Sequence, residues 1–231
     1  MAEPTRDAEL RQSLVAAVRR LDALGLNRGS TGNASVRGRE AGAGFWITPT
    51  GTGADDVAAD DLVWMADGGG VHGAWQPSSE WPFHRAIYQR RPDLNAVVHV
   101  HSVNAAALAC LRRELPAFHY MVAIAGGDNV PCVAYYPFGS ETLSQAVASA
   151  FGDRHACLMA NHGLVAGGED LAQAMKVVVE IDALCEAYLK ALGAGEPVLL
   201  TRDEMAQVIE QFRSYGKART PGAGRGARGA A

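Results

Sequence analysis

A three-layer α/β fold with a mostly antiparallel central sheet is the architecture this sequence predicts, on two observations. Helically spaced apolar stretches alternate with short β-branched or aromatic runs along the chain. Several connections between these runs read as hairpins, as an antiparallel sheet requires. No internal repeat is present.

The elements follow in order. Residues 7–24 carry Leu10, Leu14, Ala17, Val18, Leu21 and Leu24 at helical spacing, and Gly25 follows as a stop. Next comes G-L-N-R-G-S-T-G-N-A-S-V-R, a loop of Gly, Asn, Ser and Thr that ends in strand-like residues. F-W-I-T (45–48) and L-V-W-M (62–65) read as short strands, with the loop P-T-G-T-G between them and the hairpin turn A-D-G-G-G (66–70) after them. Ser78 or Ser79 caps a predicted helix that runs to about Arg91, and Pro82 is tolerable in its first turn. A-V-V-H-V-H is strand-like and S-V-N-A-A-A-L-A-C-L helical. V-P-C-V-A-Y-Y (130–136) and H-A-C-L-M-A (155–160) read as buried strands; N-H-G breaks the second, and L-V-A-G-G (164–168) resumes it. Residues 170–192 form a long helix with Leu171, Met175, Val178, Val179, Asp182, Cys185, Tyr188 and Leu192 on one stripe, and a short helix covers 202–214. The expected organisation is one domain over 1–217 and a Gly/Arg-rich, disordered tail over 218–231.

Composition narrows the function. With 48% hydrophobic and 20% charged residues in 231, the chain suits a globular protein with a sizeable core. A net charge of −4 argues against a nucleic-acid partner. Residues 1–13 are polar and resemble no secretory leader, and no apolar run approaches the ~18 residues of a membrane span. Cys110, Cys132, Cys157 and Cys185 form no C-x-x-C pair, so scattered buried thiols in a reducing cytoplasm are expected.

The chemistry starts at V-V-H-V-H, residues 97–101. Side chains alternate faces on a strand, so His99 and His101 point one way and Val98 and Val100 the other. On a helix two residues so spaced would diverge by about 200°. Two imidazoles aimed at one point are what a metal chelate needs, whereas a buried pair without a metal must find other partners for its ring nitrogens. A zinc site wants three or four ligands, and candidates for the third are His162 in A-N-H-G and the carboxylate of Glu80 in S-S-E-W. His72, in a turn, His84, on a helix, and His119 and His155, near strand starts, read as structural or exposed.

Three loops share a second chemistry. G-S-T-G-N, P-T-G-T-G and P-S-S-E place backbone N–H donors at glycine-permissive turns beside small hydroxyl or amide side chains. Such donors bind phosphate, especially at a helix N-terminus. Any one of them reads equally as an ordinary turn or cap; three beside a metal-ligand pair favour phosphate. None matches G-x-x-x-x-G-K-[ST], so a nucleoside triphosphate site is not indicated.

Taken together, G-L-N-R-G-S-T-G-N-A-S-V-R, I-T-P-T-G, S-S-E-W-P-F-H, A-V-V-H-V-H-S, L-P-A-F-H-Y-M and N-H-G-L resemble the class II aldolase/adducin family, and most closely its L-fuculose-1-phosphate aldolase branch, from about Leu10 to Lys217. The resemblance implies an α/β/α sandwich and a C4 homotetramer with active sites at subunit interfaces. It implies that His99, His101 and His162 bind one Zn2+ (or another divalent cation) and that Glu80 is the catalytic acid/base and a ligand in the empty site. Gly32, Asn33, Thr50, Gly51, Ser78 and Ser79 match the pocket for the substrate phosphate. Tyr120 matches a tyrosine that reaches into the neighbouring subunit's site, and Tyr215, in F-R-S-Y-G, matches a C-terminal aromatic.

The implied activity is cytoplasmic cleavage of a ketose 1-phosphate to dihydroxyacetone phosphate and an aldehyde. The sugar is L-fuculose 1-phosphate, or the 5-methylthioribulose or 5-deoxyribulose 1-phosphate of nucleoside salvage. Tyr135, Tyr136 and Phe138 could accept an apolar aldehyde tail. Methylthioribulose-1-phosphate dehydratases, pentulose-phosphate epimerases and oxo-acid phosphate decarboxylases use the same triad. A non-enzymatic adducin-like module would lack the ligands that this chain keeps. No lysine sits in a setting that marks a Schiff-base nucleophile, and a membrane or nucleic-acid partner is not expected.

Overall fold

The computed structural model describes residues 6–38 and 42–214. Tyr215 and the tail over 218–231 lie outside the described residues. Among the described residues the chain runs α1 (Arg6–Ala23), β1 (Asn33–Arg37), β2 (Gly44–Ile47), β3 (Val63–Ala66), β4 (Val71–His72), α2 (Trp81–Arg90), β5 (Ala96–Val100), α3 (Val103–Cys110), β6 (Cys132–Val133), α4 (Glu141–Phe151), β7 (Ala156–Met159), β8 (Gly163–Gly168), α5 (Leu171–Ala194) and α6 (Arg202–Ser214). The strands form one eight-stranded sheet in the order β4-β3-β2-β1-β5-β8-β7-β6. Every pairing is antiparallel except β6 with β7, so the predicted mostly antiparallel sheet is observed.

Both faces of the sheet are covered, because the strands are apolar on both sides. Val36, Val98 and Val100 pack with Leu14 and Leu21 of α1, Leu108 of α3 and Ile181 of α5. Ile47, Val63, Val97 and Val165 pack on the other side with Phe83 and Ile87 of α2 and Val147 and Phe151 of α4. The two-residue period thus sends alternate side chains of β5 to opposite cores, as the sequence predicts.

One helix start is secured from far along the chain. Ser102 precedes α3 without capping it through its side chain. Asp182, buried on α5, accepts from the Ala105 N–H at 3.2 Å and from Asn104 Nδ2 at 3.1 Å. A carboxylate at this end also complements the helix dipole. Asp182→Ala is expected to lower unfolding stability by about 1–2 kcal/mol, read as the urea midpoint; an unchanged midpoint would refute the cap.

Several expectations are corrected. Residues 164–168 do not resume the strand over 155–160; β7 and β8 pair antiparallel as a hairpin with N-H-G at its turn. Of residues 130–136 only Cys132 and Val133 are strand, since Pro131 lacks an N–H to extend the ladder and Tyr135 turns 55% exposed. The N-cap position of α2 is Glu80, not Ser78 or Ser79; Ser78 instead forms the turn before it, its carbonyl accepting from Trp81 N at 3.0 Å. The thiols are not uniformly buried: Cys157 and Cys185 are, Cys132 is half-buried and Cys110 is exposed. His72 sits on the short edge strand β4, and His119 caps a 3-10 helix over Tyr120–Ala125, its Nδ1 accepting from Met121 N at 3.2 Å. No helix among the described residues is long and apolar enough to cross a membrane.

Candidate metal centre

The sheet's central strands assemble the site. β5 carries His99, and His101 lies one residue past the strand's end. β8 pairs with β5, so the turn before β8 brings His162 beside them. That turn is tight: Asn161 has φ +55°, and a Cβ on Gly163 would stand 2.4 Å from the Val100 carbonyl oxygen. Glu80 approaches from the start of α2. The donor atoms of Glu80, His99, His101 and His162 all lie within 4.8 Å of one another. The three rings meet nearly edge to face, with centroids 4.7–4.9 Å apart.

The proton inventory of this cluster fits a cation. His99 Nδ1 donates to the Leu164 carbonyl at 2.9 Å, which leaves Nε2 as a lone pair. That lone pair faces His101 Nε2 at 2.8 Å and Glu80 Oε2 at 3.1 Å. Glu80 Oε1 is buried without a hydrogen-bond partner although His162 Nε2 is 3.1 Å away. Acceptors converging with too few protons between them are what a metal ion satisfies.

Electrostatics keep the ligands in their binding forms. Burial alone would raise the Glu80 pKa; the neighbouring His99 and His162 rings outweigh it and hold the carboxyl well below the usual carboxylate range. Burial, with the neighbouring His99 and His162, lowers His101 to about 4, so its imidazole is neutral at pH 7.

Contacts tie the second loop to the third and the first to the cluster. Pro49 and Pro77 form a β-bridge between the second loop and the third. Asn33, which follows the first loop, donates from Nδ2 to Glu80 Oε2 at 2.9 Å. Gly32 has φ +74°, and a Cβ there would lie 2.4 Å from the Asn27 amide, so no other residue fits. Gly32 and Asn33 line a cleft with Thr31, Thr48 and Thr52, and Gly51 turns with φ +70°. The Thr50 N–H is tied to the Gln76 carbonyl at 3.0 Å, Ser78 is buried, and the Ser79 carbonyl lies 3.0 Å from where a Cβ on Gly139 would be. Tyr120 joins none of these groups; its ring packs on His119 at 4.8 Å and is 51% exposed.

Two supporting residues escape a linear reading. Asn27 Oδ1 accepts from the His101 backbone N–H at 3.2 Å, a contact with no sequence signature. Of the two readings of His84, structural or exposed, the structure shows the first: it is fully buried and doubly hydrogen-bonded. Its signal was present: Glu80, His84 and Tyr88 recur every four residues along an otherwise apolar helix face.

An α/β/α sandwich with three imidazoles and one carboxylate converging beside glycine-bearing loops defines a metal-binding protein of the histidine–carboxylate class. The chain belongs to the class II aldolase/adducin family: residues 12–189 match the family described as Class II Aldolase and Adducin N-terminal domain. It is 46% identical over 207 residues to the 5-methylthioribulose-1-phosphate/5-deoxyribulose-1-phosphate aldolase of Rhodospirillum rubrum, covering 90% of this chain and 92% of that one. It is 42% identical to the L-fuculose phosphate aldolase of Haemophilus influenzae, over 90% and 96% of the two chains. A solved structure of L-fuculose 1-phosphate aldolase superposes with a TM-score of 0.85 at 38% identity, covering 89% of this chain and 96% of that one.

Proposed function

We propose that this protein is a zinc-dependent class II aldolase that cleaves a ketose 1-phosphate reversibly to dihydroxyacetone phosphate and an aldehyde. The observation that carries this reading is the convergence of Glu80, His99, His101 and His162 within 4.8 Å. Three imidazole nitrogens and one carboxylate suit zinc, rather than the all-oxygen sets of magnesium or calcium. His99, His101 and His162 would hold the ion, with Glu80 added when substrate is absent. Lewis-acid stabilisation of the charge that develops as the bond from carbon 3 to carbon 4 breaks is the chemistry a divalent cation there supplies.

The chain's own residues do the rest. Gly32, Asn33, Thr50, Gly51, Ser78 and Ser79 bind the phosphate; the Asn33 amide has a second N–H beyond the one given to Glu80. Cleavage leaves an electron pair on carbon 3, and the hydroxyl on carbon 4 loses its proton as the aldehyde departs. Glu80 protonates carbon 3 and, in the synthetic direction, removes that proton. Tyr120, projecting from the surface, serves the oxygen on carbon 4 in a neighbouring subunit of a C4 homotetramer, with Tyr215 as the C-terminal aromatic. A cytoplasmic setting agrees with four free thiols. Relatives named for fuculose phosphate and for 5-methylthioribulose and 5-deoxyribulose 1-phosphates support the substrate class.

The test is release of dihydroxyacetone phosphate by zinc-loaded protein from L-fuculose 1-phosphate, 5-deoxyribulose 1-phosphate and 5-methylthioribulose 1-phosphate. Release from at least one, abolished by a chelator, is expected, and the highest kcat/KM names the aldehyde half. No release from any, with zinc bound, would overturn the aldolase reading in favour of the family's dehydratase, epimerase or decarboxylase chemistry.

A further inference from the structure

Behind the metal ligands runs a line of buried polar groups, of which the proposed chemistry uses only Glu80 and Asn33. Glu80, His84 and Tyr88 share one face at the start and along α2, and Asn33 and Ser35 share one face of β1. A helix advances about 6 Å in four residues and a strand about 6.6 Å in two, so the two sets interleave in register. The result is one continuous chain of hydrogen bonds: Tyr88 to Ser35 at 2.9 Å, Ser35 to His84 Nδ1 at 2.7 Å, His84 Nε2 to Asn33 Oδ1 at 2.6 Å, and Asn33 Nδ2 to Glu80 Oε2 at 2.9 Å. All five residues are buried.

The direction of every bond is determined. The Glu80 carboxylate only accepts, so the NH2 of Asn33 must face it and the amide oxygen must face His84. His84 Nε2 therefore carries the ring proton. Nδ1 is then bare and takes the Ser35 hydroxyl proton, and the Ser35 oxygen accepts from Tyr88. Burial, reinforced by the charge of His99, lowers His84 to about 3, which agrees with a neutral ring. An amide has no proton to hand on at neutral pH, so this chain orients groups rather than conducting protons.

We propose that His84 is a positioning residue: by fixing the Asn33 amide it clamps Glu80 Oε2 and leaves Oε1, the oxygen without a hydrogen-bond partner, as the one that exchanges a proton with substrate. The role of Oε1 rests on the aldolase reading; the clamp itself does not. His84→Phe keeps the volume and removes both ring contacts. His84→Gln retains one donor and one acceptor.

The experiment combines turnover, metal content and two-bond 1H–15N correlation spectra of protein labelled at histidine nitrogens. In the wild type, with and without zinc, His84 is expected as the Nε2–H tautomer. His84→Phe is expected to lower kcat about 10–100-fold at unchanged zinc per subunit, and His84→Gln to recover most of that loss. Should the Phe variant not fold, Ser35→Ala removes only the donor to Nδ1; His84 is then expected as a mixture of tautomers in folded protein. An Nδ1–H tautomer in the wild type, a single Nε2–H tautomer in Ser35→Ala, or wild-type kcat in folded, zinc-replete His84→Phe would overturn the proposal. Wild-type protein inactive on every ketose 1-phosphate would instead sink the aldolase reading, and the tautomer would still decide the clamp.

Discussion

Glu80→Gln is expected to lower kcat about 1,000-fold, within the range for loss of a general acid/base, and to leave about one zinc per subunit. The substitution changes one atom and no volume. Glutamine can still accept from Asn33 Nδ2 through its carbonyl oxygen, so the local geometry survives. The three imidazoles that make up the rest of the cluster are untouched. On the proposed mechanism, what is lost is the group that takes and returns a proton at carbon 3. Exchange of solvent deuterium into dihydroxyacetone phosphate should vanish in parallel with cleavage. A variant within threefold of wild-type kcat would remove Glu80 from the chemistry, and loss of zinc with activity would recast it as chiefly a ligand.

His101→Ala is expected to lose metal and turnover together. Removing His101 takes away one of the four converging donors and opens the half-buried side of the cluster, which weakens its hold on the ion. The fold should survive, because the His101 contact that matters to the backbone is its N–H to Asn27, which alanine keeps. His99 is a poorer choice, since its Nδ1 also ties β5 to the Leu164 carbonyl. A bound ion stabilises the folded state by mass action, about 4 kcal/mol at a thousandfold excess over Kd. A chelator should therefore lower the Tm of the wild type and leave that of His101→Ala unmoved. One equivalent of zinc in the washed variant would refute the ligand assignment.

Much of this was legible in one dimension, where the deciding geometry is local. Leu14 and Leu21 mark the buried stripe of α1 because a helix repeats every 3.6 residues. His99 and His101 aim at one point because a strand repeats every two. The N-H-G turn was legible as a break, but not as the corner of a hairpin: a chain that resumes its strand and one that doubles back read alike until β8 finds β5. Tyr135 and Tyr136 read as strand on propensity alone, yet Pro131 and the two-residue pairing with β7 leave them outside the sheet.

The sequence by itself determined the fold class, the histidine pair aimed at one point and the glycines of the turns beside it, since the alternation and the turns that mark them lie within single elements. Tertiary structure alone brought the candidates His162 and Glu80 up to the histidine pair, set Asn27 against the His101 N–H, and made His84 the structural, buried one of its two readings. Those facts depend on which strands are neighbours and on the register of α2 against β1. Register is set by burial summed over both cores, a quantity no short stretch of sequence contains.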